Sequence, residues 1–143
     1  MTLYFDTAYI AKCYLNEPDG REVRKLARNA KSLTSSVWCI LELSCVLHRH
    51  MREDSLTAAQ AENVWTLFLA DLRSGVWNLL PLPERIANKA AGRVIELPAN
   101  VFLRAGDALH LMTARDAGFT EIWSNDRHLI AAAPHFGLTT KQV

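Results

Sequence analysis

The sequence predicts an α/β fold with a mainly parallel sheet covered on both faces by helices. Three observations carry that expectation. Short apolar, β-prone segments alternate with stretches of helical periodicity along the whole chain. The 143 residues, half of them apolar, supply one sizeable core. Two acids, Asp6 and Asp126, each stand directly after a strand-like segment, where parallel sheets place their ligand chemistry. No repeat, low-complexity tract or long linker divides the chain, so residues 1–143 are expected to form a single domain.

The first strand is Leu3-Tyr4-Phe5, ending at Asp6, and a helix follows from Thr7 to about Leu15. Pro18 and Gly20 make a turn into a helix from about Arg21 to Ala30. Arg21, Arg24, Lys25 and Arg28 share one stripe of it, with Val23, Leu26, Ala27 and Ala30 opposite. Leu33 to Ser35 reads as the second strand. Ser36 is placed to cap a long helix through Val37–Met51, so apolar all round that most of it is expected to be buried, and Thr57 to cap another that ends before Gly75. Val76 to Leu82 is β-prone and closed by Pro81 and Pro83. Residues 84–97 and about Leu103–Ala117 read as helices, the former with a second basic stripe at Arg85, Lys89 and Arg93. Glu121 to Ser124 is a strand leading to Asn125-Asp126, and a helix from Arg127 to Ala133 precedes an edge strand near Leu138.

Composition narrows the class. The opening residues, interrupted by Asp6 and Lys12, do not read as a secretion signal. The longest apolar segment, Val37 to Leu47, is far short of the roughly 20 residues that span a bilayer. Cys13, Cys39 and Cys45 form no CxxC pair, and an odd number of thiols suits a reducing compartment, so a cytoplasmic location is expected. The formal charge of +1 becomes +5 for the rest of the chain once four clustered acids are set apart, a mild bias toward a polyanionic partner.

Those four acids are the chemical signal. Most of the fifteen Asp and Glu residues lie in turns, near helix ends or among mixed charges. Glu42 is instead the only charge between Val37 and Leu47, and Asp107 stands within Ala105-Gly106-Asp107-Ala108-Leu109. Asp6 and Asp126 follow apolar strands, where each can also act merely as a helix cap. Taken together, four acids without an evident buried Lys or Arg partner would repel one another, and a divalent cation removes that penalty. Carboxylates without a Cys or His ligand set favour Mg²⁺, with Mn²⁺ possible, over Zn²⁺. His110, three residues after Asp107, can face the same side as an imidazole ligand, but such sites normally recruit more than one imidazole. The other four histidines read as surface residues.

With these segments in order, the chain resembles the PIN-domain nucleases, and within them the toxins of VapBC toxin–antitoxin modules. Phe5-Asp6-Thr7-Ala8 is similar to the family's first strand and acid, and Tyr14-Leu15-Asn16-Glu17-Pro18 to the turn that follows. Ile40-Leu41-Glu42-Leu43 is similar to the second acidic motif, Arg104-Ala105-Gly106-Asp107-Ala108-Leu109-His110-Leu111 to the third, and Trp123-Ser124-Asn125-Asp126-Arg127-His128-Leu129 to the fourth. The resemblance spans nearly the whole chain. Ala8, Ser124 and Gly106 depart from the pattern, but none removes an acid.

The resemblance implies a PIN-like three-layer α/β/α fold with about five strands, a homodimer, and a cognate antitoxin whose C-terminal segment blocks the acidic groove. It implies an Mg²⁺-dependent endoribonuclease in which Asp6, Glu42, Asp107 and Asp126 are catalytic and metal-holding, and Thr7, Ser124 and Asn125 support them. The stripe of Arg21, Arg24, Lys25 and Arg28 is the candidate RNA-backbone contact, although a charged helix face is commonly just solvated. Two other readings are a housekeeping PIN nuclease and a catalytically inactive PIN-like binding module. A haloacid-type phosphatase would need an acid where Ala8 stands, and a receiver domain would need paired acids near the first strand.

Overall fold

A computed structural model describes all 143 residues. Strand β1 (Thr2–Tyr4) leads into α1 (Thr7–Tyr14), and α2 (Gly20–Asn29) returns the chain to β2 (Ser32–Ser36). Helices α3 (Cys39–Arg52) and α4 (Ala58–Arg73) precede β3 (Trp77–Leu80), followed by α5 (Glu84–Ile95) and α6 (Ala105–Asp116). Strand β4 (Glu121–Trp123), helix α7 (Arg127–Ala132), a 3-10 turn (Ala133–Phe136) and β5 (Thr139–Lys141) complete the chain.

All pairings are parallel: β1 with β2, β2 with β3, and β4 with β5. One further parallel bridge, Phe5 to Trp123, joins the three-stranded and two-stranded sheets. The spatial order is therefore β3-β2-β1-β4-β5, and the expected five parallel strands are present as two sheets touching at one point. The chain steps outward from β1 to β3, then crosses to the other side of β1 to lay down β4. Such a reversal opens a crevice at the carboxyl ends of the two central strands. Asp6 lies in that crevice, its backbone N–H donating to the Trp123 carbonyl at 3.2 Å, and Asp126 begins the next helix three residues beyond Trp123.

The alternation of side chains along β1 builds the layers. Leu3 and Phe5 point to one core, with Tyr9, Ile10, Val23, Leu43 and Phe68 from α1 to α4. Tyr4 points to the other, with Ile86, Leu111, Ile122, Leu129 and Phe136 from the second half of the chain. Phe5 is fully buried where the two sheets meet. Truncating it to alanine would cost about 3–5 kcal/mol.

Local expectations fail most clearly at α3. Ser36 does not cap it: the residue ends β2, the Val37 N–H donates to the Leu80 carbonyl, and the Ser36 hydroxyl accepts only the Trp38 N–H at 3.1 Å. Sheet pairing holds the chain extended through Ser36, and Val37 and Trp38 form a turn, so the helix starts at Cys39. Nor is α3 buried all round. Only Cys39, Leu43 and Leu47 are fully buried, while Leu41 is 53% exposed and Cys45 is also exposed. By contrast, Thr57 caps α4 as expected, and the structure adds a reciprocal bond from Gln60 that completes a capping box. No helix is long and apolar enough to cross a membrane.

Candidate active site: an acidic cleft at the sheet crossover

Asp6, Glu42, Asp107 and Asp126 line one cleft of about 690 Å³ at the carboxyl end of the central strands. Asp6 is brought there by β1. Its Oδ1 accepts the Tyr9 N–H at 2.9 Å, so it does cap α1, yet the residue is only 3% exposed. Burial pushes its carboxyl up to about 6, against the Ser124 hydroxyl, the nearby His110 and the Tyr9 N–H, all of which favour the anion. Asp6 therefore both caps α1 and lines the cleft.

Glu42, in the first turn of α3, is held quite differently. Its Oε1 accepts the Thr7 hydroxyl at 2.7 Å and lies 2.6 Å from His110 Nε2. His110 is 1% exposed, and its Nδ1 lies 2.9 Å from the Tyr4 hydroxyl. A carboxylate beside Nε2 makes that nitrogen the N–H donor, so Nδ1 of a neutral ring accepts from Tyr4. Burial alone would raise the Glu42 carboxyl, but the His110 hydrogen bond and the Thr7 hydroxyl outweigh it and the net shift is downward. Gly106 makes this approach possible. A Cβ there would lie 2.7 Å from Glu42 Oε2 and 3.0 Å from Trp38 Nε1, so the small residue is the space in which carboxylate and indole sit. Trp38 Nε1 is itself buried at the cleft without a hydrogen-bond partner.

The opposite wall is held by an arginine. Arg104 Nε donates to Asp107 Oδ2 at 3.2 Å, and its Nη2 to Asp126 Oδ2 at 2.6 Å. Burial, then the neighbouring Asp126, raises the Asp107 carboxyl above its ordinary range, with Arg104 opposing. Asp126 also caps α7, its Oδ1 accepting the His128 and Leu129 N–H groups, while its own N–H donates to the buried Ser124 hydroxyl at 3.0 Å. Asn125 is half-buried between them.

The four acids are thus together but not unpaired, which corrects the expectation from sequence. Arg104 was missed as a partner, and His110, considered as an imidazole ligand on the side of Asp107, is instead the buried support of Glu42. A signal for Arg104 existed: it stands at the N-terminal boundary of α6, where a cation opposes the helix dipole and needs another reason to be present. As the side chains stand, no three of the Asp, Glu, His or Cys groups are arranged to hold one ion.

The basic stripes lie elsewhere. Arg21, Lys25 and Arg28 are exposed on α2, and half-buried Arg24 donates to the Lys12 carbonyl at 3.1 Å; none of the four lines the cleft. Arg85 and Lys89 of the second stripe both pair with Asp116, clipping α5 to α6. The exposed cations that do line the cleft are Arg49 and Arg52, from the last turn of α3, together with Arg104.

Residues 3–134 match the family model of the PIN domain. No curated protein matches the chain by sequence. Among solved structures, VapBC2 from Rickettsia felis, bound to a DNA fragment from the promoter, is similar with a TM-score of 0.69 at 15% identity, covering 100% of this chain and 99% of that one. VapC20 of Mycobacterium tuberculosis, described as a toxin that cleaves the sarcin–ricin loop, is similar with a TM-score of 0.71 at 15% identity, covering 91% of this chain and 94% of that one. At these identities the likeness is one of fold.

Proposed function

The chain belongs to the PIN-domain family, and from that premise we propose that it is a metal-dependent endoribonuclease of the VapC toxin type. The observation that carries the reading is the gathering of Asp6, Glu42, Asp107 and Asp126 in one cleft at the sheet crossover, from four segments far apart in sequence. Hard oxygen donors of this kind fit Mg²⁺, or Mn²⁺, better than softer ions. The stand-in charge of Arg104 between Asp107 and Asp126 marks where positive charge is already stabilised. Asp6, Glu42 and Asp107 would hold the ion directly or through water, with Asp126 acting directly or through a water. A bound divalent cation supplies a phosphate made electrophilic and a water made acidic.

The remaining work falls to the chain. Thr7 and His110 fix one oxygen of Glu42 and leave Oε2 facing Gly106. Ser124 joins the two strand ends, bonding the Asp126 backbone and favouring the Asp6 anion. Arg49 and Arg52 offer the RNA backbone a contact beside the acids, a role better placed there than on the α2 stripe. The partners that go with this reading are RNA, a second copy of the chain, and an antitoxin whose arginine competes for the acidic groove. The compartment that goes with it is the cytoplasm, and residues 1–143 form one PIN domain.

Expression supplies the test. The chain alone should arrest growth, Asp107→Asn should not, and the product of a small neighbouring reading frame should relieve the arrest. Harmless expression of a protein that cuts RNA efficiently when purified would replace the toxin with a housekeeping nuclease. Harmless expression with no cleavage would leave the binding module.

A further inference from the structure

Arg104 is hard to explain as a structural residue. It stands at the start of α6, where its charge opposes the helix dipole, and its side chain makes no capping bond. It is 59% exposed, so it packs no core. What it does is reach across two elements: one nitrogen of the guanidinium takes Oδ2 of Asp107 on α6, and another takes Oδ2 of Asp126 at the start of α7, 22 residues away. Two carboxylate oxygens from separate segments thus converge on a single positive group.

The same contacts occupy carboxylate oxygens of the cleft, in which no three acidic, imidazole or thiol groups are arranged to hold one ion. Glu42 Oε1 is already engaged by Thr7 and His110, and the facing oxygens of Asp107 and Asp126 are taken by Arg104. The first set of bonds is part-buried, anchored on a His110 ring that is 1% exposed. The second is at the cleft mouth, and ion pairs exposed to water are weak enough to exchange.

Resting on the nuclease reading above, we propose that Arg104 is the site's resident counter-cation: a divalent ion takes Asp107 and Asp126 only as the guanidinium withdraws. Metal binding is then a cation-for-cation exchange, and Arg104 sets its affinity. The exchange keeps the acids neutralised in the absence of metal and makes the metal-free cleft a closed form of the site.

Two measurements test it on the full chain. Titrated with Mn²⁺ at pH 8 and followed by electron paramagnetic resonance, Arg104→Ala should bind about tenfold more tightly than wild type, within the range usual for one coupled site. Arg104→Lys, which keeps the charge but lacks the fork, should fall between them. Independently of any variant's stability, ¹⁵N NMR of the wild-type arginine side chains should show a hydrogen-bonded Arg104 Nε–H in chelator that is lost at saturating Mg²⁺. Persistence of that signal, or affinity unchanged or weakened in Arg104→Ala, overturns the exchange. If that happens while metal-dependent RNA cleavage is intact, only the exchange falls. If neither protein binds Mn²⁺, the exchange and the metal-dependent nuclease fall together.

Discussion

Glu42 and the pair Asp107–Asp126 face each other across one cleft and carry the same kind of charge, but the protein holds them by opposite means. Glu42 is bound to an imidazole that is 1% exposed and to the hydroxyl of buried Thr7, and its carboxyl is shifted down. Asp107 and Asp126 are bound to a guanidinium that is 59% exposed, and the Asp107 carboxyl is shifted up. One wall of the site is an extension of the core. The other is a surface ion pair that solvent and ions can reach. On the proposed metal role, one fixed and one adjustable wall would let the cleft keep its shape without metal and still admit one.

The largest effects should come from the acids. Asp6→Asn or Asp107→Asn should lower RNA cleavage by more than the roughly 10–100-fold typical of losing an outer-shell partner. Neither should lower the melting temperature in chelator, since each removes a charge that burial already disfavours. A clear loss of metal-free stability would show these carboxylates to be structural.

The pH dependence follows from Asp6. Its folded value, about 6, lies above the ordinary carboxyl value. The protonated form is therefore favoured by folding, and the stability it contributes is present below about pH 4 and lost as pH rises through 6. Two units correspond to about 3 kcal/mol. Metal-free urea unfolding between pH 4 and 7 should show this decline, and Asp6→Asn should flatten it. Equal slopes in the two proteins would contradict a burial penalty at Asp6 that outweighs its hydrogen bonds.

A smaller contrast separates the two walls. Removing the His110 ring strands both Tyr4 and Glu42, so His110→Ala should cost about 1–3 kcal/mol. Arg104→Ala removes two ion pairs whose cation is 59% exposed and should cost no more than about 1 kcal/mol. Comparable losses measured by urea unfolding would erase the distinction between a core wall and a surface wall.

How much of this was legible beforehand follows from how local each cause is. The four acids stood out because Glu42 and Asp107 are charges in apolar runs and Asp6 and Asp126 end strands, patterns confined to a few residues. Helix α4 was readable from its Thr57 cap and the Gly75 stop for the same reason. Ser36 misled because its fate is set by β3, some forty positions away in sequence, which pairs with Ser36 and accepts the Val37 N–H. The His110 network was beyond local reading, since Tyr4 is 106 residues from it and Glu42 is 68. Strand order is equally non-local, yet it is what turns two strand-ending acids into a crossover cleft. The α2 stripe was visible as a pattern, but only the fold shows that it lies outside the cleft.

That last point sets the smallest expected effect. Charge reversal at Arg49 and Arg52 should weaken RNA binding and reduce the salt slope by about 0.7 per lost phosphate contact, as for single strands. Reversal at Arg21 and Arg28 should change it less. A larger effect from the α2 stripe would move the RNA path off the cleft's edge.

The most direct measurement is RNA cleavage by the purified chain with its ends mapped. Incubated with total RNA, the protein should cut in Mg²⁺ or Mn²⁺, stop in chelator and resume when metal is restored, leaving 5′-phosphate and 3′-hydroxyl ends because the nucleophile is water. Asp6→Asn prepared in parallel should be inert. Cleavage that continues undiminished in chelator and leaves cyclic phosphate would mean that the RNA's own 2′-hydroxyl attacks, and that the acidic cleft at the sheet crossover is not where the chemistry is done.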